Sequence, residues 1–338
     1  MPVLIDRSPT GSIAGRAAEQ FLELGLVNNM PDAALESTER QFVELLRAAA
    51  LDVPIRLRLF FIPAVPRGEA GRRHLRGGYL DLAELWDSRL DGLIVTGNEP
   101  RAPALSDEPY WRPLTQLLAW AEENTASTVW SCLAAHAAVL HLDGIERRPL
   151  AQKRFGVFEC RGSSDHPLLD ALPARLRIAH SRCNDLPEAS LAASGYSILT
   201  RSAAAGVDTF AKQRRSLFVF FQGHPEYDER ALLREFRRDL GRYLRRERET
   251  RPALPEGYFD AVGANAAAMF CERARRARDE ALLEDFPAAL LESHLRPAAR
   301  DPIVRLYRNW LAYLVAQKAS RHLRAPLRAH RINAPQPA

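Results

Sequence analysis

The sequence predicts an α/β fold in which helices cover both faces of a mostly parallel sheet. Short apolar runs, rich in β-branched and aromatic residues, alternate with segments whose apolar residues recur at helical spacing. Polar stretches that contain Gly or Pro separate these segments, as expected for the loops of such a fold. A repeated strand–helix–strand order is typical of βαβ units, whose strands run parallel.

The N-terminal part of the chain shows this alternation most clearly. Residues 64–78 are rich in Arg and Gly and are predicted to form a loop. The other predicted elements are the strand Phe21–Val27, the helix Ala33–Ala50, the strand Pro54–Ile62, the short helix Asp81–Trp86, the strand Leu90–Gly97, the helix Trp111–Glu123, the strand Ser127–Ser131 and the helix after Cys132.

Beyond residue 150 the strand patterns are weaker. The clearest segment is an amphipathic helix at Asp228–Arg245, with an apolar side that holds Leu232, Leu233, Phe236, Leu240 and Tyr243. Two further helices are predicted near 262–283 and 302–318. The predicted strands are Phe155–Glu159, Leu176–His180, Tyr196–Thr200, Gly206–Phe210 and Leu217–Phe221.

The 338 residues divide into four predicted parts. A flexible arm, 1–18, precedes an α/β domain at 19–249. C-terminal helices at 250–320 are expected to pack on the same domain, and a basic flexible tail follows at 321–338.

Composition and short motifs argue against a membrane protein, a secreted protein and a nucleic-acid-binding protein. Hydrophobic residues make up 46% and charged residues 26%, and no run reaches the length of a membrane helix. The N-terminus lacks a signal-peptide pattern, so a cytoplasmic protein is expected. The net charge of +5 suits an anionic cosubstrate, and no motif points to nucleic acid. The four cysteines have no C-x-x-C spacing, so no metal site is expected.

The most informative segment runs from Ser127 into the alanine-rich helix after Cys132. A cysteine on a sharp strand-to-helix turn is the arrangement of a nucleophile elbow. The helix N-terminus offers N–H groups and a positive dipole end, which lower a thiol pKa and can stabilise an oxyanion. Cys132 is therefore the candidate nucleophile, although a small buried thiol is the commoner role of such a residue.

Two other strand ends complete the candidate site. The strand Leu217–Phe221 leads into Gly-His224-Pro-Glu226, so His224 is a candidate base and Glu226 its orienting carboxylate. Gly97 and Asn98 follow the neighbouring strand, and their N–H groups could form an oxyanion hole with that of Leu133. Because parallel strands end at one edge of a sheet, we expect these residues to meet there.

Several basic residues are weaker candidates from pattern alone. Arg238 lies in the helix after His224 and could bind a substrate carboxylate with its fork of N–H groups, although Arg234 and Arg237 beside it suggest a solvated basic face. Lys153 and Arg182 lie in the region of weaker strands.

These segments together resemble the homoserine O-succinyltransferase/O-acetyltransferase family, over roughly residues 20–320. The resemblance implies a flavodoxin-like fold of the class I glutamine amidotransferase type and a place in methionine biosynthesis. The matching segments, in chain order, are Asn28–Pro31, Glu36–Phe42, Asp91–Gly97, Ser131–Ala138, Phe155–Glu159, His180–Arg182, Gly223–Asp228 and Asn309–Tyr313.

The resemblance also implies roles for individual residues. Cys132 would take the acyl group from acyl-CoA, and His224, oriented by Glu226, would activate the homoserine hydroxyl. Lys153 would help to position the acyl intermediate, and Arg238 would hold the homoserine carboxylate. His180–Arg182 matches the family's His-Ser-Arg segment, so Arg182 joins the candidate substrate-binding residues. No bound cofactor is implied, and a homodimer with the C-terminal helices as contacts is expected.

The chain departs from the family pattern after Thr96-Gly97. There the family has Gly for succinyl or Glu for acetyl transfer, whereas a straight count places Arg101 at this selector position. Glu99 could occupy it only with a shifted register. Arg101 would favour the succinyl carboxylate by ion pairing, so succinyl-CoA is the expected cosubstrate. Asn29 and Cys160 also differ from the common residues, which indicates a divergent member.

Other functions remain open at the level of sequence. Acetyl-CoA could be the donor, and serine or another hydroxy amino acid could be the acceptor. A glutaminase-type hydrolase could use the same fold, although Trp130 and Ala134 stand where glutaminases favour glycines beside the cysteine. A non-catalytic binding protein is disfavoured by the joint presence of Cys132, His224 and Glu226.

Overall fold

The computed structural model describes residues 3–7 and 21–324, and within them a nine-stranded sheet forms the centre of the molecule. A second sheet of four strands lies beside it. The strands are β1 (Val3–Ile5), β2 (Leu22–Val27), β3 (Ile55–Phe61), β4 (Leu80–Asp81), β5 (Gly92–Val95), β6 (Ser127–Ser131), β7 (Arg148–Gly162), β8 (Arg175–Asp185), β9 (Ser197–Ile198), β10 (Thr200–Ser202), β11 (Gly206–Val207), β12 (Thr209–Gln213) and β13 (Leu217–Phe221).

The order of the central sheet confirms the predicted fold class. Its strands follow the order β1-β3-β2-β5-β6-β13-β12-β9, with β4 beside β3. Pairs from β1 to β13 are parallel, and β12 and β9 add an antiparallel edge. The run β3-β2-β5-β6-β13 is the doubly wound order of flavodoxin-like folds, in which the carboxyl ends of the strands form the ligand site.

Helices cover both faces of this sheet. One apolar core lies under α1 and α10, and the other under α4 and α5. A third core joins α7 and α8 to the long hairpin of β7 and β8. The helices are α1 (Asp32–Ala50), α2 (Glu69–Arg76), α3 (Leu82–Leu85), α4 (Trp111–Asn124), α5 (Leu133–Asp143), α6 (Glu188–Ala193), α7 (Ala231–Leu244), α8 (Ala261–Arg276), α9 (Ala288–Ser293) and α10 (Arg300–Arg324).

The prediction of a loop at 64–78 is wrong for Glu69–Arg76, because these residues form the helix α2. Glu69 lies in the first turn of this helix and basic residues lie in the last, which suits the helix dipole. The Asp32 carboxylate accepts a hydrogen bond from the Gly68 N–H group at 2.7 Å, and Leu75 is buried. The high content of Arg and Gly led to the prediction of a loop, whereas contacts with α1 stabilise a helix here.

Two predicted strands are each divided between the two sheets. In the segment Tyr196–Thr200, β9 pairs with β12 of the central sheet, whereas β10 begins the pairing with β7. In Gly206–Phe210, β11 belongs to the second sheet and β12 to the central one. A strand pattern in a sequence reports extended backbone but not the sheet to which it pairs.

The two ends of the described chain also differ from expectation. Val3–Ile5, assigned above to a flexible arm, pair in parallel with β3. The helix predicted at 262–283 ends at Arg276, and α10 runs past residue 318 into the predicted tail. The rest of the arm and residues 325–338 lie outside the described residues. Among the described helices, none combines the length and the apolar character needed to cross a membrane.

Candidate active site

Cys132 occupies the turn between β6 and α5, as a nucleophile elbow requires. Its backbone has φ 52° and ψ −115°, a region that residues other than glycine rarely adopt. The Cys132 N–H group donates to the Phe221 carbonyl at 2.7 Å, and the Cys132 carbonyl accepts from His136 at 3.2 Å. Hydrogen bonds on both sides hold the strained turn in place.

His224 and Glu226 lie at the same edge of the sheet as Cys132, because β13 and β6 end side by side. Phe221, the last residue of β13, pairs with Ser131, the last residue of β6. The His224 N–H group then donates to the Ala179 carbonyl at 2.8 Å, which fixes the backbone of the turn. Nδ1 of His224 lies 2.8 Å from Oε1 of Glu226, and both side chains are buried.

The charge state of His224 follows from its neighbours. Burial lowers the pKa of this imidazole, but the Glu226 carboxylate and the Cys132 sulfur, which also hydrogen-bond to it, raise the pKa well above its ordinary value. The ring of Tyr227 stacks on the imidazole with centroids 4.2 Å apart. The arrangement therefore favours an imidazolium beside the Cys132 sulfur in the resting site.

The two segments that carry the predicted oxyanion donors, Gly97–Asn98 and Leu133, are in close contact. A Cβ atom on Gly97 would be only 2.8 Å from the Leu133 nitrogen, so only glycine allows this approach. Leu133 is the first residue of α5, and its N–H group has no carbonyl partner within the helix. Asn98 follows directly and accepts a hydrogen bond from the Glu99 N–H group through its side chain. The backbone here can present N–H groups to a developing oxyanion.

A cavity of about 720 Å³ opens over Cys132 and His224. Its wall carries more positive than negative charge, with eight cationic side chains and three carboxylates. A surplus of this kind attracts an anionic ligand. The cations are Arg40, Arg147, Lys153, Arg182, Arg234, Arg238, Arg242 and Arg248, and the carboxylates are Glu99, Glu235 and Asp239.

Lys153 and Arg238 meet in a charged network on the cavity wall. Nζ of Lys153 lies 2.8 Å from Glu235 and 3.2 Å from Asp239, and Arg238 bonds to Asp239 at 2.9 Å. Burial raises the pKa of Glu235, but Lys153 and Arg238 oppose it and lower the pKa to about 2. Ser181 also donates a hydrogen bond to Glu235. The network fixes both predicted basic residues beside the site.

Arg182 lies at the cavity wall, but protein groups occupy its guanidinium. It donates to Asp185 at 2.7 Å and to the Asn184 carbonyl at 2.8 Å, and its side chain is almost fully buried. Its Nε also lies 3.3 Å from Nδ1 of His180. These contacts tie Arg182 into the wall of the cavity, and its contact with a substrate stays a prediction.

Arg101 does not reach the cavity, contrary to the selector role predicted for it. Its side chain is exposed, and its backbone N–H group donates to Glu108 at 2.5 Å. The loop instead turns Glu99 toward the cavity, where it forms a two-point ion pair with Arg242 at 2.9 and 3.1 Å. Counting along the sequence failed here because the loop path is set by Glu108, seven residues further on.

Several residues of the cavity wall were not predicted from the sequence, notably Glu235, Asp239, Arg242 and Arg147. Three of these lie on α7 at a spacing that places them on one face with Arg238. This periodicity of charged residues could have indicated the face directed at the site. Arg147 lies between α5 and β7 and had no signal in the sequence.

Comparison with known proteins gives the family of this chain. The family model described as homoserine O-succinyltransferase matches residues 10–321. A homoserine O-succinyltransferase of Rhodopseudomonas palustris is 50% identical over 311 residues, covering 92% of each chain. One of Methylorubrum extorquens is 47% identical and covers 91% of this chain and 92% of its own.

A solved structure of a glutamine amido transferase from Methylobacillus flagellatus is 13% identical with a TM-score of 0.47, covering 87% of this chain and 95% of that chain. The extent and identity of the sequence matches decide the family. The chain belongs to the homoserine O-succinyltransferase family.

Proposed function

We propose that this protein transfers the succinyl group of succinyl-CoA to the hydroxyl of L-homoserine through a thioester on Cys132. The observation that carries the proposal is the contact of Cys132 with His224, itself held by Glu226, inside a cavity with a basic wall. A thiol paired with an oriented imidazole is the arrangement of covalent acyl transfer. The relatives named homoserine O-succinyltransferase support the choice of donor and acceptor.

In the first half-reaction, the Cys132 thiolate, beside the His224 imidazolium, attacks the thioester carbonyl carbon of succinyl-CoA. The carbonyl oxygen becomes an oxyanion that the N–H groups of Leu133 and Asn98 stabilise. The bond from carbon to the CoA sulfur then breaks, and the His224 imidazolium gives its proton to the departing thiolate. The products are free CoA, a succinyl thioester on Cys132 and a neutral imidazole.

In the second half-reaction, the neutral His224 takes the proton of the homoserine hydroxyl as its oxygen attacks the thioester carbonyl. The same N–H groups receive the oxyanion. The bond to the Cys132 sulfur breaks, which releases O-succinylhomoserine and restores the thiolate beside an imidazolium. Arg238 lines the cavity and is the candidate to hold the homoserine carboxylate.

Intact-protein mass spectrometry after incubation with succinyl-CoA or acetyl-CoA tests the proposal. We expect an adduct of about 100 Da with succinyl-CoA that Cys132→Ala abolishes and that homoserine discharges. An acetyl adduct alone would name acetyl-CoA as the donor. Discharge by serine but not by homoserine would change the acceptor, and no adduct with either donor would contradict a covalent acyltransferase.

We also propose a homodimer in the cytoplasm. Exposed apolar side chains on α8 and α10, namely Val262, Met269 and Val315, support a contact through the C-terminal helices. The four cysteines are free thiols, as in a reducing compartment. Light scattering after gel filtration measures the mass in solution, and a mass of one chain at micromolar concentration would contradict the dimer.

A further inference from the structure

Most cationic side chains in the cavity already have a carboxylate partner. Seven of the eight form an ion pair within 4.0 Å, and these pairs bind the wall together. A guanidinium that is already paired has fewer free N–H donors for a substrate carboxylate than an unpaired one. The pairs are Arg40 with Asp228, Lys153 with Glu235, Arg182 with Asp185, Arg234 with Asp228, Arg238 with Asp239, Arg242 with Glu99 and Arg248 with Asp239.

Arg147 is the exception among them. Within residues 3–7 and 21–324, no carboxylate lies within 4.0 Å of its guanidinium, and its side chain makes no hydrogen bond. The Glu108 carboxylate acts on its charge only from beyond that distance. Oε1 of Glu108 is engaged by the N–H groups of Arg101 and Ala102, at 2.5 and 2.8 Å. The side chain of Arg147 is half-buried, so its charge is partly removed from water, and no anion of the described residues is in direct contact with it.

The position of Arg147 relates it to the nucleophile. Arg147 and Cys132 line the same cavity, and a thiolate at Cys132 is near enough to favour the charged guanidinium. Its charge also acts on His136, one turn along α5 from Cys132. An acyl group attached to Cys132 would therefore share the cavity with this cation.

We propose that Arg147 binds the distal carboxylate of the succinyl group and thereby selects succinyl-CoA over neutral acyl donors. The inference rests on the proposed function and deepens it, because it names the residue that recognises the acyl chain. A succinyl group carries its carboxylate two methylene groups beyond the thioester carbonyl. The planar fork of arginine fits a carboxylate with two parallel hydrogen bonds, which a neutral acyl chain cannot make.

Two other anions could reach an arginine in this cavity, and they predict different kinetics. A contact with a CoA phosphate would stabilise every acyl-CoA equally, because all donors share that part. A contact with the homoserine carboxylate would affect the second half-reaction with every donor. Of the three contacts, only one with the succinyl carboxylate would make the rate loss on removal of the arginine depend on the acyl chain of the donor.

The test compares succinyl-CoA with butyryl-CoA, which has the same chain length and a methyl group in place of the carboxylate. Rates of adduct formation on Cys132 are measured by mass spectrometry for the wild type, Arg147→Met and Arg147→Lys. Arg101→Met is the matched control, because Arg101 is exposed and lies outside the cavity. The ratio of the two rates in one preparation does not depend on the fraction of folded enzyme.

We expect Arg147→Met to lower the rate with succinyl-CoA about 10- to 100-fold while butyryl-CoA is used as well as or better than before. Arg147→Lys should retain part of the preference, and Arg101→Met should retain all of it. An equal loss with both donors, or no loss with either, would overturn the inference while the proposed function stands. A wild-type enzyme that forms no succinyl adduct would overturn both.

Discussion

At the scale of single residues, Cys132 and His224 form a pair whose chemistry depends on buried charge. The turn at Cys132 is strained, and the strain places the thiol at the helix N-terminus beside the imidazole. Glu226 is buried and directs its carboxylate at Nδ1 of His224, which leaves Nε2 for the sulfur. Removal of the Glu226 carboxylate should therefore change the pKa of His224 as well as the orientation of its imidazole ring.

Glu226→Gln should lower the pKa of His224, because burial then acts against the imidazolium with less opposing charge. The raised pKa stabilises the fold fully below the ordinary value, about 6.5, and this contribution is lost as pH rises through the raised pKa. The difference in unfolding free energy between wild type and variant should thus be largest near pH 6 and should narrow in alkali. Urea unfolding across pH measures it.

Activity of Glu226→Gln should fall by about 100-fold or more, because proton transfer by His224 loses its driving force. Glu159→Gln, which changes an exposed carboxylate, is the control and should show neither effect. A stability difference that stays constant across pH would contradict the role assigned to Glu226.

Gly97→Ala tests the oxyanion hole. The new Cβ atom would lie 2.8 Å from the Leu133 nitrogen and 3.0 Å from its Cβ, so the loop and the helix N-terminus must separate. We expect kcat to fall by about 100-fold, as when one oxyanion donor is lost. Gly162→Ala is the matched control, since its Cβ atom would make an ordinary contact at 3.7 Å. Unchanged kcat in Gly97→Ala would remove these N–H groups from the mechanism.

At the scale of elements, the site depends on the contact between β7 and α7. Lys153 of β7 lies over the ring of Phe155 at 4.4 Å and reaches Glu235 and Asp239 of α7. The buried carboxylates require this cation, since an unpaired buried charge costs more than the pair contributes. The ion pairs therefore fix α7, and with it Arg238, against the second sheet.

Lys153→Met should destabilise the protein by about 3–5 kcal/mol, because Glu235 loses its main partner. The pKa of Glu235 is lowered to about 2, so the pair stabilises the fold above the ordinary value, about 4.3, and this contribution is lost as pH falls toward 2. The effect of the variant should thus shrink below about pH 4. Denaturant unfolding at several pH values measures it.

The double variant Lys153→Met with Glu235→Gln should recover part of the lost stability, because it removes the stranded charge. Arg161→Met, in an exposed pair with Glu159, is the control and should cost at most about 1 kcal/mol. A double variant no more stable than Lys153→Met alone would contradict the electrostatic account.

At the scale of the whole molecule, the C-terminal helix α10 belongs to the core that supports the active site. Trp310 is 1% exposed and donates a hydrogen bond from Nε1 to Oγ of Ser127 at 2.9 Å. Ser127 begins β6, the strand that ends at Cys132. The absence of a side chain at Gly92 makes room for the indole and for Leu314. The helix is thereby tied to the strand that carries the nucleophile.

Trp310→Ala should lower the unfolding free energy by about 3–5 kcal/mol. We expect one cooperative transition, in which helix content and protection of Cys132 from alkylation are lost at the same urea concentration. Arg305→Ala, at an exposed position of the same helix, should change stability by about 0.5 kcal/mol or less. Loss of helix content while Cys132 stays protected would show that α10 is a separate unit.

The sequence by itself determined the fold class and was enough to propose Cys132, His224 and Glu226 as a candidate catalytic trio. Strand and helix periodicity is a local property, so β2, β5, β6 and β13 and the amphipathic α7 could be predicted from nearby residues. Cys132 and His224 could be paired because parallel strands deliver their ends to one edge, whatever the length of chain between them. These inferences needed no knowledge of side-chain contacts.

Only the tertiary structure decided which basic residues line the cavity and which of them are already paired. Arg101 and Arg182 were plausible by position, yet Glu108 directs the loop of Arg101 away and protein acceptors occupy Arg182. Arg147 was unremarkable in the sequence and becomes distinctive only because, in the part of the chain that the structure describes, its neighbours in the cavity are paired and it is not. Charge pairing depends on distances between residues far apart in the chain, and a sequence by itself does not contain those distances.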